Sequence, residues 1–157
     1  MKKLQITIIL IALFTVFVFG CKTTNNLTDI SDALEKDWKL IEVRVNNKNT
    51  EFDRRSLVRE GFGDIFTIRI DTQSVSGVGA PNRYSAPYTP SAEDITSVKI
   101  ETVRSTLMAS IHHPEKLREH EFFVYIQNTY KWGLSDGKLE LHSKNDSGDD
   151  VVIVFSL

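Results

Sequence analysis

The segment Tyr130–Phe155 reads YKWGLSDGKLELHSKNDSGDDVVIVF, three apolar runs separated by two polar turns. Tyr130, Trp132 and Leu134 alternate with Lys131 and Gly133, and Leu139 and Leu141 alternate on the way back. A repeat of two places one set of side chains on each face of a strand, so both runs read as half-buried β-strands. Ser135-Asp136-Gly137 supplies the turn, because Asp and Gly tolerate the positive φ of a tight hairpin. Lys144–Asp150 is the second turn. Val151–Phe155 is apolar on both faces and is expected in the middle of the sheet. The segment therefore predicts a three-stranded antiparallel meander.

Working towards the N-terminus, the same period recurs. Val98 and Ile100 share a face in Ser97–Arg104, and so do Phe66, Ile68 and Ile70 in Ile65–Asp71. In Trp38–Val45 the repeat groups Ile41, Val43 and Val45. Glu115–Asn128 carries two signals. His113-Pro114-Glu115 suits a helix start, and Phe122, Phe123, Ile126 and Tyr130 fall at helical spacing, whereas the Phe122–Ile126 run has high β propensity. Ser31–Glu35 suits a short helix capped by Ser31 or Asp32.

The first residues concern the compartment. Lys2 and Lys3 precede an uncharged run, Leu4–Gly20, that ends Val18-Phe19-Gly20-Cys21. This ending resembles the lipobox of bacterial lipoproteins, in which the cysteine is acylated and becomes the first residue after cleavage. Residues 1–20 are then a signal peptide and 21–37 a lipidated Cys21 with a polar tether; the alternative is an uncleaved anchor helix, for which the run is short. Cys21 is the single cysteine, so no internal disulfide, thiol catalysis or thiolate metal site is expected. Lys22, in place of aspartate after the cysteine, leans towards the outer membrane. Without Lys2 and Lys3, 17 of the 19 basic residues remain against 21 acidic ones, a formal charge of −4. A mildly acidic chain without a basic run has no electrostatic footprint for nucleic acid.

Across 38–157 the order of landmarks resembles the META/HslJ domain of bacterial heat-shock and envelope proteins. The residues that carry the likeness are Trp38-Lys39-Leu40, Val75–Tyr84 (VSGVGAPNRY), Tyr88, Ser105–Ala109 (STLMA), Glu119/Glu121-Phe122-Phe123 and Tyr130 with Leu139-Glu140-Leu141. Pro81 and Ser110 stand where the family commonly has cysteine, and Leu107 where it has arginine, so roles of those residues do not transfer. The resemblance implies an α+β fold, a mainly antiparallel β-sheet curled into a partial barrel with one packed helix. It turns the ambiguous segment towards helix and implies no defined reaction.

Each candidate site has a plainer reading. Gly77–Asn82 lacks the following helix that a phosphate loop needs, so turn or bulge glycines are expected, with Asn82 and Tyr84 structural. His112, His113, His120 and His142 lack the convergence of a zinc site. Asn145–Asp150 lacks the length and distal Glu of a calcium loop. Glu119 and Glu121 read as a solvated helix face. Phe66, Phe122, Phe123, Ile126 and Trp132 read as core, or as the lining of an apolar cleft for lipid between sheet and helix. The expectation is a non-enzymatic envelope lipoprotein without cofactor or metal. It would be tethered to a membrane by lipid on Cys21 and serve envelope maintenance or a stress response by binding another envelope component, protein or lipid; the alternative is a small apolar-ligand or lipid-binding chaperone.

Overall fold

The structure is a computed structural model that describes residues 27–109 and 114–157. Ten strands form one antiparallel sheet: β1 (Asp37–Val45), β2 (Lys48–Glu51), β3 (Thr67–Ile70), β4 (Ser74–Val78), β5 (Arg83–Pro90), β6 (Val98–Ile100), β7 (Arg104–Ser105), β8 (Lys131–Ser135), β9 (Lys138–Lys144) and β10 (Asp150–Ser156). The order is β6-β5-β4-β3-β1-β10-β9-β8, with β2 on β1 and β7 on β5. The two ends of that row meet. Val98 N–H donates to Tyr130 O (3.1 Å), Trp132 N–H donates to Thr96 O (2.8 Å), and Ser97 bridges Lys131. The sheet is thus a nearly closed barrel with one seam, within an α+β fold.

The C-terminal meander follows the alternation. Trp132 pairs with Leu141, Leu139 with Phe155, and Ile153 lies between Leu141 and Val43. Asp136 (φ 51°) and Gly137 (φ 72°) adopt the left-handed backbone that a two-residue hairpin requires. β10 lies between β1 and β9, and its outward Val154 is as buried as its inward Ile153 and Phe155.

Three local expectations change. In β1 a bulge between Leu40 and Glu42 shifts the phase, so Trp38 and Leu40 point inward ahead of it and Val43 after it. Ile41 does not join that face, because an extra residue reverses everything on one side of it. The short helix near Ser31 is a 3₁₀ turn, Ile30–Ala33, capped by Asp29, whose side chain accepts from Ser31 N–H. A further helix, α1 (Arg54–Arg59), was not anticipated; the Asp53 carboxylate caps it by accepting from Arg55 N–H at 2.9 Å.

The ambiguous segment is a helix, α2 (Glu119–Gln127), but a shorter one than Pro114 suggested. Residues 114–118 connect rather than coil. Leu117 is buried, Lys116 Nζ donates to Glu51 O, and the Glu121 carboxylate turns back to accept Arg118 N–H at 2.9 Å. At the other end Thr129 folds its hydroxyl onto Tyr125 O, and Tyr130 lies beyond the helix and 46% exposed. The stripe that enters the core is Phe122, Tyr125 and Ile126. Phe122 sits 5.1 Å from Phe66, 5.8 Å from Tyr84 and 6.4 Å from Phe155, ring centre to ring centre. One helix thereby joins the inward faces of β5 and β10 and the residue leading into β3.

Candidate functional site

The sequence reading singled out Gly77–Asn82 and Glu119 separately, and the fold brings them together. Glu119 Oε1 accepts Ala80 N–H (2.5 Å) and Asn82 N–H (2.6 Å), while Oε2 accepts from Asn82 Nδ2 (2.7 Å). The Asn82 amide, 6% exposed, continues the network. Its Oδ1 accepts Met108 N–H (2.6 Å) and Thr106 Oγ1–H (2.8 Å), and its Nδ2 also donates to Met108 O (3.2 Å). Glu119 is therefore not on a solvated face. Its carboxylate is the pin that holds the first turn of α2 to the turn between β4 and β5, and Asn82 extends that hold to residues 106–108.

The glycines serve approach rather than turning. Neither Gly77 nor Gly79 has a positive φ. A Cβ on Gly77 would lie 2.1 Å from Thr67 O, and one on Gly79 would lie 2.7 Å from both Glu119 Oε1 and the Phe123 ring. Strand β3 and the helix both close onto backbone that lacks side chains. Tyr84 completes the arrangement from inside, donating its hydroxyl to Thr67 O at 3.0 Å; burial pushes its ionisation far above the usual tyrosine range.

Beside this network is a cleft of about 750 Å³, lined among others by Pro81, Met108, Pro114, Arg118 and His120. Met108, in its lining, is a large apolar side chain at 60% exposure, and Leu107 before it in the chain is 99% exposed. The apolar cleft that the sequence suggested is not the same place. Phe66, Phe122 and Ile126 are wholly buried and Trp132 is 1% exposed, while Phe123 is half-buried against Tyr84. Trp132 stands apart from that group, edge-on to Tyr88 at 4.7 Å.

A second polar cluster had no signal beyond the alternation of its strands. On the outer face of β1 and β9, Arg44 lies 2.9 Å from Glu42 and 3.5 Å from Glu140, and His142 Nε2 lies 3.7 Å from the other oxygen of Glu140. Glu140 is 4% exposed. The facing His142 ring, and after it the Arg44 guanidinium, hold its carboxyl below the usual range against the opposing effect of burial. The Glu42 carboxylate raises Arg44 further. Of the other histidines, His120 is an exposed neighbour of Asp146, and His112 and His113 lie outside the described residues. Cys21 also lies outside them. Among the described residues no three His, Cys, Asp or Glu side chains converge as metal ligands. The Asn145–Asp150 segment is a self-bonded turn in which Asn145 Oδ1 accepts Ser147 and Asp149 N–H.

The family model of the META domain matches residues 31–155, spanning barrel, helix and the Asn82–Glu119 pin. The chain belongs to the META domain family. Two solved structures are similar to this one in fold. One is the NMR structure of a protein from Burkholderia xenovorans, 18% identical over 79% of this chain and 83% of its own, with a TM-score of 0.54. The other is the crystal structure of a DUF4847-family protein from Bacteroides vulgatus, 14% identical over 81% and 95%, with a TM-score of 0.51. At these identities the likeness concerns fold alone. No curated protein matches the chain.

Proposed function

We propose that this META-domain protein is a non-enzymatic lipoprotein, acylated at Cys21 and held at the cell envelope, whose barrel acts through its surface on another envelope component. The observation that carries the surface reading is the burial of the aromatic group. Phe66 and Phe122 are in ring contact and fully enclosed, so the side chains that would line an internal acyl site instead fill one another's space. The polar groups fit the same reading. Glu119 is engaged by three donors and Glu140 by Arg44 and His142, which leaves neither as an unengaged general base.

The anchor reading rests on the sequence Val18-Phe19-Gly20-Cys21. Acyl chains contribute about 0.8 kcal/mol per buried CH₂, so two or three of them hold a protein at a bilayer where a polar tether does not. Cys21→Ala is expected to abolish palmitate labelling and block processing at this site. A variant that still labels and fractionates unchanged contradicts the anchor. Crosslinked pull-down from the native envelope, wild type against Cys21→Ala, then tests the binding role: the expected result is a discrete partner held only by the anchored chain.

A further inference from the structure

The seam of the barrel is closed in two unequal halves. Along the outer edge of β8, Tyr130 and Trp132 are bonded to Val98 and Thr96 on either side of the Ser97–Lys131 bridge, but Leu134 is bonded to Thr28. Thr28 N–H donates to Leu134 O (3.0 Å), Leu134 N–H returns to Thr28 O (3.3 Å), and Thr28 Oγ1 donates to the same Leu134 carbonyl (3.2 Å). Gly133 makes the room: a Cβ there would stand 2.6 Å from Thr28 O and 2.8 Å from Leu27 Cβ.

The hold is lopsided. Downstream, Ala33 is fully buried and its carbonyl accepts Trp38 Nε1–H at 2.9 Å, while Glu35 N–H donates to Ile70 O at 2.8 Å. Upstream, Thr28 and Asp29 are exposed, and among the described residues the backbone pairing of this stretch with β8 is the single pair Thr28–Leu134. Exposed backbone bonds with little apolar burial are where local opening concentrates. We propose that Leu27–Asp29 is a releasable latch over β8, hinged at the Ile30–Ala33 turn. Closed, it completes the seam. Open, it uncovers the Leu134 N–H and C=O and the slot above Gly133, leaving the barrel intact. The inference does not depend on the anchor or on the surface role.

Amide hydrogen exchange on the full-length chain in mild detergent tests this. Gly133→Ala places a methyl against the latch, its nearest neighbours there being Thr28 O and Leu27 Cβ, and Thr28→Pro removes its donor without touching Gly133. Both variants are expected to speed exchange at the Leu134 amide by about tenfold or more while the amides of β1 and β10 keep their protection. Unchanged exchange at Leu134 shows that the latch does not hold that edge. A rise of the same factor throughout the barrel shows that the segment is part of one cooperative unit. Either result overturns the proposal.

Discussion

Asn82 uses both ends of its side chain, giving one hydrogen to Glu119 and one to Met108 O while its oxygen takes Met108 N–H and Thr106 Oγ1–H. A buried amide with every group engaged is costly to interrupt, because each partner left behind is desolvated and unpaired. Asn82→Ala and Glu119→Gln are each expected to cost roughly 1–3 kcal/mol of stability by denaturant unfolding. Since both sever the same network, the double variant is expected to cost less than the two added together. Strict additivity would show that the two residues act independently. The sequence placed Asn82 as a turn residue and read Glu119 as part of a solvated helix face. No local pattern distinguishes a glutamate that faces water from one that faces backbone thirty-odd positions away. Gly79 was the available sign: a glycine beside a strand marks a bulge or a place where something approaches closely, and here it is the Glu119 carboxylate and the Phe123 ring.

At the scale of elements, alternation located the strands because each needs only its own side chains to show which face is buried. It failed where the backbone departs from period two, at the bulge that moves Ile41 off the core face of β1. It also failed where tertiary contacts set a boundary, at the start of α2, where Leu117 is drawn into the core before the helix begins. The pairing of β1 and β9 across β10 creates the Arg44–Glu140–His142 cluster, which no single strand announces. That pairing has a pH consequence. Glu140 ionises more readily folded than unfolded, so it adds stability that is complete above the unfolded carboxylate range, near pH 4.3, and is lost as pH falls through the lower folded value. Melting temperatures taken from neutral pH into that acid range are expected to fall less steeply in Glu140→Gln than in wild type. Parallel curves would mean that the cluster contributes nothing to the acid limb.

For the whole molecule, the META fold was legible because a family resemblance is spread over many weak landmarks in a fixed order, from Trp38 to Leu141. Function was less legible, since the family implies no reaction and the aromatic stripe fits either a filled core or an acyl cleft. Packing separates the two. Phe122 lies within one aromatic cluster with Phe66, Tyr84 and Phe155, whereas Phe123 reaches it from the half-buried edge. Phe122→Ala is accordingly expected to cost about 3–5 kcal/mol of stability, and Phe123→Ala less. The most direct test is native mass spectrometry of the full-length chain, released from detergent micelles, after incubation with palmitate or phospholipid. A filled barrel that acts through its surface predicts no saturable adduct in wild type or in Phe123→Ala. Stoichiometric, saturable binding that Phe123→Ala removes while the domain stays folded would contradict it and establish an apolar-ligand site between helix and sheet.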